Sequence, residues 1–179
     1  MIIARTSRLI LRKLHGDDCE AMETIFSDSE VMRFSAGTKT PAKVREWVER
    51  WIDDLYSQWG FGMWAVVRQS DDLVIGYCGL SRFAGRVAVN ETEIGFRLAR
   101  AYWGAGYATE ALLAVRDYAF GILKIPKLVA LIDPANVASI RVVEKAGFKY
   151  ERDAMLEGYD HPDRLYIAIR PLISVSATV

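Results

Sequence analysis

The sequence predicts an α+β (mixed α/β) fold, a sheet with helices on both faces. Three observations lead there. The helical hydrophobic period ends before Gly60, and from Gly62 the period changes. Helix start signals stand at Thr40–Pro41 and Asn136, and a stop signal stands at Gly147. The elements then run β-α-α-β-β-β-α-β-α-β-β, with strands arriving in runs and also singly between helices. At 179 residues, with no linker, repeat or low-complexity segment, the chain reads as one domain over residues 1–179.

Each element has its own cause. RLILRKL (Arg8 to Leu14) alternates as a half-buried strand, with Leu9 and Leu11 on one face. Gly16 to Asp18 offers a helix N-cap, followed by the helical stripe Ala21, Met22, Ile25 and Phe26. Thr40 caps a second helix with Pro41 at its first position, where the missing N–H costs nothing. Val44, Trp47, Val48, Trp51 and Leu55 form that helix's core stripe, which ends before Gly60. Met63 to Arg68 and Leu73 to Phe83 flank a polar Ser-Asp-Asp turn and read as a hairpin. An AGRVAVN loop leads to a strand over Thr92 to Arg100. After a Gly-rich turn, a helix runs from about Tyr107 to Gly121, carrying Ala111, Leu112, Val115 and Ala119 on one face. Lys127 to Asp133 is almost wholly apolar, as a central strand should be. Asn136 to Gly147 is a helix with Gly147 just past its end, and two strands, FKYERDAML and RLYIAIR, close the fold.

Composition excludes several classes of function. Lys plus Arg (23) equals Asp plus Glu (23), so the basic excess of a nucleic-acid binder is missing. No apolar run approaches the roughly 20 residues of a membrane span. Arg5, Arg8, Arg12 and Lys13 interrupt the apolar start, which therefore does not read as a signal peptide, and a cytoplasmic location is the expectation. Cys19 and Cys78 lack metal-ligand spacing and read as reduced structural thiols, and no His/Cys/Asp set suggests a metal site. His15 and His161 lie near no motif that calls for a base and read as surface residues.

The chemistry concentrates at Tyr102 to Ala111, YWGAGYATEA. A strand, a tight turn and an immediate helix place several free N–H groups at one helix N-terminus, which suits a phosphate or pyrophosphate. Gly104 and Gly106 would let the backbone approach such a ligand, or would only let strand and helix pack closely. The stretch is neither a Walker A loop nor GxGxxG, because Ala108 and Thr109 stand where a third glycine would be needed.

EIGFRLARAYWGAGYATEAL, followed after a strand by NVASIRVVEKAGF, resembles the GNAT superfamily of acyl-CoA-dependent N-acyltransferases. The family's Q/R-x-x-G-x-G/A segment is matched by Trp103-Gly104-Ala105-Gly106-Tyr107-Ala108, except that Trp103 replaces Gln or Arg. That departure resembles the RimJ/RimL-like branch, the ribosomal-protein-alanine N-acetyltransferase type. So do TSRLILRKL, IGYCGL and Asn136-x-x-Ser139 followed by Glu144-Lys145-x-Gly147-Phe148. The resemblance spans Thr6 to about Pro171.

The resemblance implies a mostly antiparallel twisted sheet with a splayed strand pair holding acetyl-CoA, here Ile94–Ala99 and Lys127–Asp133. Gly104 to Ala108 would wrap the pyrophosphate, backbone at Phe96 and Leu98 would meet the pantetheine arm, and Asn136 would reach the same arm or only cap its helix. Acetyl would pass to a primary amine, a protein N-terminus or a small molecule, by direct attack on the thioester. Glu93 matches the family's base, with Glu91 the next candidate, and Ser139 or water would protonate the leaving thiolate. The helix after Asn136 has Val142-Val143 and no Tyr to serve as acid. The acceptor pocket would come from the segment between about Asp18 and Gly60. The acidic residues Glu151, Asp153, Glu157, Asp160 and Asp163 would attract a cationic amine or form a solvated loop. No metal, nucleic acid or membrane partner is implied. A homodimer is compatible with the branch, and a CoA-binding sensor that lost turnover is the alternative function on the same fold.

Overall fold

The computed structural model describes residues 1–82, 91–156 and 158–171. The AGRVAVN loop, Phe83 at the end of its strand, and Glu157 in the acidic stretch lie outside the described residues. The strands are β1 (Ile2–Arg5), β2 (Leu9–Lys13), β3 (Met63–Arg68), β4 (Leu73–Ser81), β5 (Thr92–Leu98), β6 (Lys127–Ile132), β7 (Lys149–Ala154) and β8 (Asp163–Ile169). They form one sheet in the order β1-β2-β3-β4-β5-β6-β8-β7, antiparallel at every junction except β5–β6. The predicted mixed fold and mostly antiparallel sheet are both present.

The helices are α1 (Cys19–Ser27), α2 (Ser29–Met32), α3 (Pro41–Arg50), α4 (Tyr56–Trp59), α5 (Tyr107–Gly121) and α6 (Val137–Lys145). Thr40 caps α3 by accepting from the Lys43 N–H, and the helix continues through a π turn at Trp51–Leu55 into α4. It stops at Gly60, whose φ of +73° is the left-handed conformation glycine adopts without strain. β1 was not anticipated, because Ile2-Ile3-Ala4 lacks alternation. It forms as an edge strand with an irregular register on β2.

The register sorts the two faces of the sheet. Trp64 and Tyr77 lie on opposite faces, since Ala65 pairs with Tyr77 and Trp64 with Cys78. On one face α5 buries Ala111, Leu112, Val115 and Ala119 completely, and Tyr118 meets Trp64 edge-on at 5.4 Å. On the other, Phe26 of α1 and Trp47 of α3 pack on Tyr77 at 5.7 and 5.0 Å. Tyr56 ties the end of the long helix to this layer by accepting from the Leu14 N–H at 3.0 Å and donating to the Met63 carbonyl. Each hydrogen bond of this buried kind contributes about 1 kcal/mol. The Arg12 guanidinium holds Asp18 through two bonds of 2.7 Å, fixing the turn that enters α1.

Candidate active site

β5 and β6 pair only at Thr92–Leu128 and Glu93–Val129, and then diverge. The Ala99 N–H donates to Ile75, so the odd-numbered residues of β5 turn their backbone groups toward β4. Alternation therefore turns those of Ile94, Phe96 and Leu98 toward the gap. The predicted splayed pair is present. It opens into a cleft of about 920 Å³ whose walls include both strands, the turn before α5, the start of α6 and the inner side of α1 to α3. That volume lies within the usual range for ligand sites.

At the mouth of the cleft stands the glycine turn. Gly104 and Gly106 have φ of +75° and +83°, where an L-residue is strained. A Cβ on Gly104 would meet nothing within 4 Å, and one on Gly106 only the tip of Arg8 at 3.5 Å. Close packing is thus not what requires glycine here. By contrast, a Cβ on Gly76 would lie 2.2 Å from the Arg97 carbonyl, and one on Gly79 would lie 2.1 Å from that of Gly62. The first bond of α5 runs from the Glu110 N–H to the Gly106 carbonyl, so the amides of Tyr107, Ala108 and Thr109 precede the helical ladder. Trp103 lines the cleft, but its indole N–H is engaged by the Leu98 carbonyl at 2.8 Å. It pins the turn to the end of β5, and that carbonyl accepts a protein donor already.

Behind the turn lies a clasp that sequence reasoning missed. Glu110 points away from the cleft mouth and accepts from Thr6 Oγ1 (2.6 Å), Ser7 Oγ (3.1 Å), the Arg8 N–H (2.9 Å) and Arg8 Nε (2.7 Å). Burial pushes the Glu110 carboxyl up, but the bonds from Thr6, Arg8 and Ser7 together hold it below its ordinary value. Arg8 also donates to the Ala105 carbonyl at 2.9 Å and lies over the Tyr107 ring at 4.4 Å. The TSR segment of the N-terminal hairpin thus braces the turn and cancels the one acidic charge in the first turn of α5.

The two candidate carboxylates separate cleanly. Glu93 is buried on β5 beside Ser81 and lines the cleft. Glu91 precedes the strand, pairs with Lys127 and is not among the lining residues. Asn136 caps α6 by accepting from the Ser139 N–H at 3.1 Å, while its amide nitrogen makes no hydrogen bond among the described residues. Both Asn136 and Ser139 line the cleft. The thiols do not: Cys19 and Cys78 are buried, and desolvation pushes both above the ordinary range.

The acidic stretch splits as well. Glu151 and Asp153 are exposed on β7, whereas Asp163 is buried at the start of β8 and lines the cleft. His161 is half-exposed, as expected of a surface residue, yet it bridges Asp160 at 2.7 Å and the cleft-lining Asp133 at 3.1 Å. Hydrogen bonds to the carboxylates of Asp160 and then Asp133 raise its pKa. Only the register, which places Asp133 next to β8, brings these groups together. Among the described residues no cluster of three or more His, Cys, Asp or Glu side chains could hold a metal ion, and no helix is long and apolar enough to cross a membrane.

Comparison with known proteins gives a consistent picture. The family model for the acetyltransferase (GNAT) domain matches residues 8–149. YkkB of Bacillus subtilis is 37% identical over 150 residues, which cover 82% of this chain and 85% of that one. The N-acetyltransferase p20 of Bacillus licheniformis is 29% identical over 157 residues, covering 87% and 85%. Among solved structures, an acetyltransferase of the GNAT family from Bacillus anthracis superposes with a TM-score of 0.80 at 27% identity, covering 95% of this chain and 99% of that one.

Proposed function

Because the chain belongs to the GNAT acetyltransferase family, we propose that it transfers an acetyl group from acetyl-CoA to a primary amine, a protein N-terminus or a small amine, by direct attack on the thioester. Residues 1–179 act as one catalytic domain, and the resemblance of the WGAGYATEA turn with Asn136 and Ser139 supports the RimJ/RimL-like branch. The observation that carries this reading is the β5–β6 split, closed at one end by an open turn of left-handed glycines. Past Glu93 the strand gap turns backbone groups of β5 away from any β6 partner among the described residues, toward an extended amide-containing arm. The turn supplies N–H groups without a charged side chain, as a pyrophosphate needs.

Acetyl-CoA, when bound, supplies a thioester carbonyl open to attack by an amine. The amides from Gly104 to Ala108 hold its pyrophosphate, with Trp103 fixing the turn, and the backbones of Phe96 and Leu98 align its pantetheine arm. Asn136 adds an amide donor from the start of α6. Glu93, buried on the cleft wall, removes a proton from the acceptor ammonium directly or through water, since an alkylamine is mostly protonated at neutral pH. Ser139 donates a hydrogen bond to the departing sulfur, and water completes the proton transfer. An acyl-enzyme plays no part, because both thiols lie outside the cleft and are held protonated.

Thiol release from acetyl-CoA, measured with a panel of peptides and amines, tests the proposal. CoA binding with release at the blank rate for every acceptor would make the protein a CoA-binding module. For Glu93→Gln, kcat at neutral pH should fall by about 10²-fold. The deficit should narrow as pH approaches the acceptor's own pKa, where free amine no longer needs a base. A variant whose pH–rate profile matches the parent's removes Glu93 from this role.

A further inference from the structure

On the face of β5 that carries Glu93, the next two side-chain positions are Gly95 and Arg97. Arg97 stands across from Tyr77, whose ring packs on Phe26 and Trp47. Its guanidinium lies 5.8 Å from the centre of the Phe26 ring and donates to Met32 Sδ at 3.0 Å and to Ser35 Oγ. All three are neutral. The Lys39 ammonium lies 5.8 Å from the same ring. Both cations are half-buried and both line the cleft, and neither is in an ion pair among the described residues. Arg33 and Glu30 on the same wall compensate each other at 3.5 Å. The wall built by Phe26, Lys39 and Arg97 therefore carries two positive charges without a counter-ion among the described residues, in a partly desolvated aromatic setting.

A guanidinium carries five N–H donors, and half-burying it among neutral groups leaves donors that an anion would satisfy better. We infer that Arg97 and Lys39 form an anion subsite in the acceptor half of the cleft, so that the preferred acceptor is an amine bearing a carboxylate or phosphate at its far end. This rests on the proposed acetyl transfer, with the amine at Glu93. The Cα atoms of Glu93 and Arg97 are four strand residues, about 13 Å, apart before their side chains reach inward. The acceptor is therefore extended, an acidic short peptide or an ω-amino acid rather than a compact amino acid. A polyamine would place a second ammonium against the two cations.

The test uses chains of equal length that end in an anion, nothing or a cation: 6-aminohexanoate, hexylamine and 1,6-diaminohexane. The tripeptide amides Ser-Ala-Asp, Ser-Ala-Asn and Ser-Ala-Lys repeat the comparison on peptides. For each, kcat/KM is measured by thiol release and affinity by calorimetry on CoA-saturated protein. The anion-ended member of each set should exceed its neutral counterpart by about tenfold or more, with the cationic member lowest. Arg97→Gln should bring anionic and neutral acceptors together while leaving the Kd for CoA unchanged, and Arg97→Lys should restore part of the preference. Cation-ended acceptors winning, no preference for the anion, or a preference that survives Arg97→Gln would each overturn the subsite. Loss of CoA affinity in Arg97→Gln without a change in acceptor order would also overturn it, by assigning the cation to the cofactor's phosphates. Preferential binding of the anion-ended chains without thiol release would sustain the subsite and refute acetyl transfer, so the two readings fail separately.

Discussion

Gly106→Ala separates a turn built for a ligand from one built for packing. With φ at +83° and ψ near 0°, an alanine here is left-handed, at about 1–2 kcal/mol of strain. No collision adds to this, because the new Cβ meets only Arg8 Nη2 at an ordinary 3.5 Å. The free protein can shed the strain by rotating the peptide planes between Gly104 and Gly106, which re-aims the amides at the head of α5. Binding of CoA must then restore the original geometry, and the strain reappears as about 5- to 30-fold weaker affinity. Fold stability should fall by no more than the strain itself. The assay is calorimetry with CoA and with pantetheine, which lacks the phosphates, alongside thermal unfolding. CoA should lose affinity and pantetheine should not. Unchanged CoA affinity, or equal losses for both ligands, would refute the cradle. Gly79→Ala is the contrasting case: its Cβ would lie 2.1 Å from the Gly62 carbonyl, so it should damage folding at β3–β4 rather than binding alone.

Two further outcomes follow from charges that the fold has placed. The Glu110 carboxyl is held below its ordinary value, so its contribution to stability is present above about 4.5 and is lost as pH falls through its depressed folded value. Glu110→Gln should therefore unfold more easily than the parent at neutral pH and converge with it in acid, as urea titrations at several pH values can show. A difference that persists undiminished in acid would mean that Glu110 acts only by shape. His161 is shifted the other way, chiefly by Asp160 and then by Asp133. Its tether between the β7–β8 segment and the end of β6 is complete below 6.5 and weakens as pH rises through the raised folded value. Amide exchange around Tyr159, corrected for intrinsic pH dependence, should accelerate across that window in the parent and show no such step in His161→Gln.

Much of the fold was legible because its signals are local. Thr40–Pro41 starts α3, the apolar run Met63 to Val67 makes β3, buried on both faces, and the apolar run from Lys127 makes a strand buried between two neighbours. What escaped depends on partners distant in sequence. Ile2 to Arg5 becomes a strand only because β2 offers it an edge. The clasp on Glu110 joins residues more than 100 positions apart, and nothing in ATEA says which way its carboxylate turns. Glu91 and Glu93 share a parity and look alike in the sequence, and only the structure places Lys127 against the first.

The two halves of the cleft differ in legibility for a physical reason that also bears on how specificity can change. In the proposed reading the cofactor half is read by backbone, so its requirements collapse into one contiguous turn where side chains must be absent. Such a requirement leaves a motif. The proposed acceptor half is lined by single side chains from α1, the segment after α2, β5, β6 and β8, gathered by register. No spacing in the sequence records that gathering. On β5 the two tasks interleave residue by residue: Phe96 and Leu98 present backbone to the gap, while Glu93 and Arg97 project from the face toward α1. A substitution at Arg97 can then alter which amine is accepted while the β4–β5 ladder and the Gly104–Ala108 turn stay in place. On the proposed reading, the same strand would hold the donor constant and leave the acceptor free to vary.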